Sequence, residues 1–319
     1  MSFPNVSDIV ATTIESRSRK IADNVTKNNA LLAWLEARGN VKTISGGSVI
    51  YQELSFAENG NAGWYSGYDL LPVAAQDVIS AAQYNIKQAA CPVIISGLEQ
   101  LQNAGREQMI DLLDGRVSVA ESTMMNLLAS GIYSDGTGAG GKQVDGLDAA
   151  VAITPTNVYG GIDSNVWAFW KNKSTAAGLD ATTVTGAMNA MWASLVRGMD
   201  QPDLIVMDNA MWGIYMDSLQ SQQRFTDPSK AKRGFATIQF MNADIVLDGG
   251  VGGFATTKTA YFLNTKYLFW RPHAQRNMVP LAPNRRYAIN QDAEVQILAW
   301  AGNLTSSGRQ FQGRLIDNT

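Results

Sequence analysis

A helical repeat running from Arg106 to Ile132 sets the scale of anything this chain can fold into. Met109, Leu112, Leu113, Val117, Ala120, Met124, Leu127 and Leu128 recur mostly at spacings of three and four, the period of an amphipathic helix. At 1.5 Å per residue that predicts a stiff rod of roughly 40 Å. Gly115 inside it costs about 1 kcal/mol relative to alanine, which a helix of this length absorbs.

The chain before the rod reads as an arm and an excursion. Residues 1–42 are polar, with one short apolar helix (Ala30, Leu31, Leu32, Trp34, Leu35) that Gly39 stops. From Lys42 to Ser55 the pattern turns to strand through Ile44, Val49, Tyr51 and Leu54, interrupted by Gly46–Gly47. Asn59–Gly60 is a hairpin signal. Val78–Ile95 is a second extended run, broken at Pro92. Residues 41–95 therefore predict a long two-stranded excursion with a wide tip. Two strands alone are marginal in water, so something must cover them, and a neighbouring copy is the economical cover. Ser96 and Glu99 form a capping box opening a short helix.

Beyond the rod, Ser134–Gly146 is glycine-rich and Leu147–Ile153 largely apolar, and Trp167, Phe169 and Trp170 cluster soon after. An amphipathic helix is expected over Thr183–Arg197 and a buried strand over Pro202–Met207. A helix over Asp208–Gln222 follows, with Asp208 as N-cap. Strands over Thr237–Leu247 and Thr259–Trp270 flank the loop Asp248–Gly253, completing a compact α/β unit that Pro280 and Pro283 leave. Gln291–Leu304 then alternates in face into a predicted Gly302–Asn303 turn, and Gln310–Ile316 starts another strand.

Composition removes most catalytic classes. One histidine, His273, would have to serve every triad or zinc role, and reads as a loop imidazole after Pro272. One cysteine, Cys91, excludes an internal disulfide and a cysteine zinc site. No stretch has the length of an apolar membrane span, and no signal peptide opens the chain. Gly136–Gln143 fits G-x-x-x-x-G-K but ends in Gln where a phosphate-binding loop needs a hydroxyl, and it follows a helix rather than a strand. Gly250–Ala255 matches G-x-G-x-x-A but leads into a strand, not the helix a dinucleotide site requires. Nothing singles out a pair of carboxylates for glycoside chemistry. No cofactor or metal is expected.

Two features point outward instead. Trp64, Tyr65 and Tyr68 crowd the hairpin tip, where exposed aromatics suit an interface or, as a rival reading, sugar stacking. Between Thr43 and Ile86 there is no Lys or Arg, whereas Glu53, Glu58, Asp69 and Asp77 are acidic. The arm carries Arg17, Arg19, Lys20 and Lys27, and the C-terminal segment carries Arg271, Arg276, Arg285, Arg286, Arg309 and Arg314. Opposite signs on separate segments suit an acidic hairpin docking on a basic neighbour, although ordinary solvated charge explains the pattern as well.

The order of parts, with Ser134–Asp135–Gly136–Thr137–Gly138 after the long helix and Gly146–Leu147 shortly beyond, resembles the HK97-type major capsid proteins of tailed bacteriophages. The resemblance implies a mixed α+β fold. Its parts would be an N-terminal arm (1–42), an extended loop (43–87), a peripheral domain with the spine helix (88–150), an α/β axial domain (151–272) and a C-terminal return to the peripheral domain (273–319). It implies a non-enzymatic structural protein that self-assembles into pentamers and hexamers of an icosahedral virion shell around double-stranded DNA, built in the host cytoplasm. Separate scaffolding, portal and decoration proteins would be partners, and membranes would not. Glu58, Trp64, Tyr65, Tyr68, Asp69, Arg309 and Arg314 would then be inter-subunit contacts, and Arg17, Arg19 and Lys20 would face DNA. About 30 residues precede the first clear helix, so either processing or a separate scaffold is expected. The loop lacks the Lys that joins subunits covalently in some members, so a shell without that isopeptide bond is expected. The alternatives are an encapsulin-type compartment around protein cargo, a tail or decoration protein, or a nucleotide-binding α/β enzyme using 136–143.

Overall fold

The computed structural model describes residues 29–102, 106–219, 237–249, 253–281, 286–287 and 292–319. Helix α1 (Ala30–Ala37) opens on Asn29, whose side chain accepts from the Leu32 amide, and Gly39 at φ 70° turns the chain out of it. Strands β1 (Val49–Ser55) and β2 (Ile79–Asn85) form an antiparallel ribbon from Val49↔Asn85 to Ser55↔Ile79. The excursion ends there, short of the expected 41–95. Strand β3 (Lys87–Ser96) leaves the ribbon and pairs along its whole length with a C-terminal strand, tucking Val93 and Ile95 inward. Pro92 is tolerated because, among the described residues, β3 pairs with that one strand and its other edge carries no ladder bonds.

Helix α2 (Gly97–Gln102) carries the expected capping box: the Ser96 amide donates to Glu99, and the Glu99 amide to the Ser96 hydroxyl. Arg116 adds an ion pair to Glu99 at 2.5 Å. The rod is helix α3 (Arg106–Gly131), and its Val117, Ala120, Met124 and Leu128 are buried. This helix packs on β3.

The remaining elements are a small hairpin, β4 (Val158–Tyr159) with β5 (Ile162–Asp163), then β6 (Lys173–Ala177), α4 (Val184–Leu195), β7 (Leu204–Met207) and α5 (Asn209–Ser218). Asp208 caps α5 as expected, accepting from the Ala210 and Met211 amides. Strands β8 (Thr237–Phe240) and β9 (Ala243–Leu247) fold back on each other, with Met241 at φ 52° in the turn. The expected strand Thr259–Trp270 is two strands in two sheets. Strand β10 (Thr259–Leu263) ends where Asn264 accepts from the Lys266 amide in a 3-10 turn, and β11 (Leu268–Pro280) starts afresh.

Strands β12 (Arg286–Tyr287), β13 (Ala293–Ser306) and β14 (Gly313–Asp317) close the chain. No turn forms at Gly302–Asn303, because β13 runs straight through it. Gly302 is there for close approach: a Cβ would stand 2.5 Å from the Arg271 carbonyl oxygen. The Asn303 side chain bonds across the fold to Asn85 and Asp145 and also accepts from the adjacent Leu304 amide. His273 lies within β11 rather than a loop, and its Nδ1 accepts from the Gln275 amide where the β11–β13 register shifts.

Two sheets result. One holds β3, β13, β11 and β12, backed by α3. The other, in the order β6-β14-β10-β7-β9-β8, is mixed, with β14–β6 and β7–β9 parallel. Its β7 is buried throughout. Leu204 and Val206 face one core with Tyr261 and Leu263, while Ile205 and Met207 face the other with Met188, Met191 and Trp192 of α4. A sheet covered on both faces explains the uninterrupted apolar run. The C-terminal segment is therefore divided: β13 joins the helix-backed sheet, but β14 joins the six-stranded one, against the expectation that all of 273–319 returns to the former.

Candidate assembly surface

The ribbon β1–β2 is fixed at its root and bare at its tip. The Gln83 amide donates to the Gly160 carbonyl at 2.8 Å. Gly160 sits at φ 59°, where a Cβ would approach Tyr84 to 2.9 Å and Ala82 to 3.0 Å, so glycine is required. The Tyr84 hydroxyl donates to the Ser306 carbonyl at 3.0 Å, and burial pushes its pKa well above the ordinary tyrosine value. The Tyr84 ring meets Tyr159 edge-on, and Tyr159 stacks on Trp170.

Between the strands, residues 57–77 form no helix or strand and hold mostly local turns. Asn59 accepts from the Asn61 amide at 3.0 Å, and Asp69 from the Ser66 amide at 2.8 Å. The Asn59–Gly60 signal thus marks an Asx turn within a wide loop rather than a two-residue hairpin. Trp64 is 106% exposed, Tyr68 105%, Leu70 99% and Val73 91%, with Tyr65 and Leu71 also exposed. Glu58 stands in solvent among them. This much contiguous bare apolar surface is uncommon on a chain that stays alone.

Arg309 and Arg314 are not on that kind of surface. Arg309 is completely buried. Its guanidinium donates to the Ala150 carbonyl at 2.6 Å, the Ser164 hydroxyl at 2.7 Å and the Asn172 side chain at 3.1 Å, and also to Asn157 and the Ala149 carbonyl. It lies 5.3 Å from the Tyr159 ring centroid. Burial brings its pKa down to about 10, so it stays charged at neutral pH. Arg314 pairs with Asp148 at 2.6 Å over the Tyr261 ring. Both arginines bind the segment after α3 to the end of the chain, and neither has a face left for a neighbour. The expectation that they receive an acidic loop is corrected on that ground. Arg17, Arg19 and Lys20 lie outside the described residues.

The glycine-rich stretch is a structured corner. Asp135 accepts from the Thr137 amide and hydroxyl, which holds its carboxyl below the usual carboxylate range. Gly136 turns at φ 80°, and Lys87 reaches the Gly141 carbonyl at 2.6 Å. A Cβ on Gly146 would stand 2.5 Å from the Gly131 carbonyl, and the Leu147 amide donates to the Ile132 carbonyl at 2.8 Å. The Gly–Leu pair is thus the joint where the chain presses back on the end of α3. The stretch follows α3 rather than a strand and opens no long helix, so it lacks the strand–loop–helix setting of a phosphate-binding loop.

One feature had no signal in the spacing of residues. An open cleft of about 110 Å³ at the end of the ribbon where the loop begins is lined by Phe56, Ser80, Ile162, Trp167 and Phe169. Its wall comes from segments about a hundred residues apart, and only the local density of Trp167, Phe169 and Trp170 hinted at it. Among the described residues no cluster of His, Cys, Asp and Glu could hold a metal ion. No described helix is long and apolar enough to cross a membrane.

The sequence matches no protein-family model and no curated protein. The fold does match solved structures. The capsid asymmetric unit of cyanophage A-1(L) superposes with a TM-score of 0.66 at 16% identity, over 88% of this chain and 92% of that one. The capsid of an empty GTA particle, computed with C5 symmetry, gives 0.59 at 12% identity, over 88% of both chains. The satellite phage P4 procapsid, which includes its size determination protein, gives 0.51 at 10% identity, over 94% of this chain and 90% of that one. The chain has the HK97-type capsid fold.

Proposed function

We propose that this chain is a major capsid protein that assembles into the pentamers and hexamers of an icosahedral shell around double-stranded DNA, its role being structural and not catalytic. One observation carries the reading: an HK97-type fold, matched over nearly nine-tenths of the chain, that leaves Trp64, Tyr68, Leu70 and Val73 of its loop exposed. A shell subunit repeats one surface against many identical neighbours, and the loop is a surface made for that use. The helix-backed sheet serves as the peripheral domain and the six-stranded sheet as the axial domain. The loop, with Glu58, Trp64, Tyr65, Tyr68 and Asp69, lies over an adjacent copy. Arg17, Arg19 and Lys20 meet DNA phosphates without sequence preference, and scaffolding, portal and decoration proteins complete the particle.

Negative-stain microscopy of the expressed chain tests the reading. Closed shells with five- and six-fold capsomers are expected. A chain that remains monomeric in microscopy and sedimentation, with and without a co-expressed scaffold, would contradict it. Particles filled with protein cargo rather than DNA during infection would contradict the genome-enclosing part.

A further inference from the structure

The loop holds a motif that no hairpin uses. Asn59–Gly60 is the only Asn–Gly step in the chain. Both residues are exposed, and the Ala62 amide donates to the Asn59 carbonyl at 3.1 Å to close a turn around them. An asparagine side-chain amide and the next backbone nitrogen can join in a five-membered ring, with the nitrogen attacking Cγ. Their covalent tether makes that attack intramolecular. A Cβ on the following residue crowds the nitrogen, and glycine has none.

The turn assembles what the attack needs. The Asn61 amide donates to Asn59 Oδ1 at 3.0 Å. Negative charge develops on that oxygen as Cγ becomes tetrahedral, and an N–H already aimed at it stabilises the charge. The Gly60 amide donates to no acceptor among the described residues, so the nucleophile is not held elsewhere. Residues 57–77 form no helix or strand that would resist the ring. The Asp–Gly steps, which close the same ring with loss of water, are restrained by contrast. Asp114–Gly115 lies inside α3. Asp135 accepts from the Thr137 amide and hydroxyl. Asp145 accepts from the Asn303 side chain at 2.7 Å, and Gly146 presses on the Gly131 carbonyl. Asp248 accepts from the Tyr133 hydroxyl, and Gly249 packs against Asn209.

We infer that Asn59–Gly60 is a self-modification site, at which the folded chain converts its own side-chain amide to a carboxylate. The Gly60 nitrogen loses its proton to solvent and bonds to Asn59 Cγ, and the Cγ–Nδ2 bond breaks to release ammonia. Water then opens the succinimide at either carbonyl. One opening leaves aspartate at 59, and the other routes the main chain through the side chain as isoaspartate. The net change is amide plus water to carboxylic acid plus ammonia, with no oxidant or cofactor. Either product adds a carboxylate beside Glu58, in a stretch with no Lys or Arg between Thr43 and Ile86, so the loop grows more acidic with age. Peptide mass spectrometry of the purified chain, sampled through parallel incubations in buffer and in urea, tests this. In buffer the amide-to-acid mass gain is expected at residue 59, resolved by fragmentation into aspartate and isoaspartate, at a rate no lower than in urea. Gly60→Ala should lose most of it. A Cβ there would stand 3.4 Å from Gln76 Oε1, an ordinary contact, and its φ is not left-handed, so the loop accepts the alanine. Isoaspartate at the Asp–Gly steps is expected in urea and not in buffer. Conversion at 59 confined to urea, or undiminished in Gly60→Ala, would overturn the inference, and neither result bears on the shell reading.

Discussion

The aromatic stack at the ribbon root and the aromatic tip of the same ribbon use one residue class for opposite ends. At the root, Tyr84, Tyr159 and Trp170 are at most 4% exposed and close around the Arg309 guanidinium. At the tip, Trp64 and Tyr68 are fully exposed and touch nothing that fixes them. The root supplies the stability of the folded chain, and the tip supplies nothing to it. What separates them is burial with polar satisfaction: the root offers carbonyls, amides and a hydroxyl to the Arg309 guanidinium, while the tip offers solvent. A chain that must fold first and assemble afterwards divides its apolar residues in this way.

Removing the guanidinium at the root should give the largest effect. Arg309→Met leaves Asn157, Ser164, Asn172 and two carbonyls without their donor, and a buried acceptor left unsatisfied costs about 1–3 kcal/mol. Denaturant unfolding of the unassembled chain should show it. Arg309→Lys should recover little, since one ammonium cannot reproduce the planar fork.

Next comes the joint after α3. Gly146→Ala drives a Cβ to within 2.5 Å of the Gly131 carbonyl, a backbone clash with no flexible neighbour to yield. Overpacking of this kind costs about 1–3 kcal/mol, and the thermal midpoint should fall accordingly. An unchanged midpoint would mean that the joint is not part of the folding unit.

A smaller, pH-dependent effect is expected at Asp200. Tyr267, then Lys266 and Arg197, hold its carboxyl at about 2 instead of the ordinary 3.8. Because the folded-state value lies below the unfolded one, the stabilisation is complete above 3.8 and disappears as pH falls towards about 2. Asp200→Asn should therefore be the less stable chain at neutral pH, with the gap closing through that acid window. A gap independent of pH would exclude the carboxylate as its source.

The least effect on folding should come from the tip. Trp64→Ala and Tyr68→Ala together should change unfolding free energy by no more than about 0.5 kcal/mol, as for exposed residues without partners, yet they should abolish particle formation. A drop in stability comparable with that of Arg309→Met would erase the contrast between root and tip.

Much of this division was legible in local sequence, where the deciding interactions are local. The α3 period, the Ser96–Glu99 capping box, the Asp208 cap and the Gly39 stop each depend on residues within one or two turns. The bare aromatic tip was legible because its aromatics fall in a Gly- and Asn-rich loop between two strands rather than on the face of an element. Misreadings arose where a partner is distant in the chain. Gly302–Asn303 looks like a turn until Arg271 presses on one residue and Asp145 bonds the other. Arg309 and Arg314 look like solvated charges until Asn157, Asn172 and Asp148 are brought to them. The strand β14 could not be assigned to a sheet from its own five residues, since β6 and β10 supply its ladder.

The central claim is that the ribbon tip serves assembly and not folding, and excising it tests this most directly. Replacing residues 57–77 with Asn–Gly joins Phe56 to Val78, whose backbones already pair, through a two-residue hairpin turn. Sedimentation velocity, with denaturant unfolding alongside, is predicted to show a monomer of undiminished stability that forms no particles under conditions where the intact chain does. Particles of normal size from the shortened chain would contradict the account.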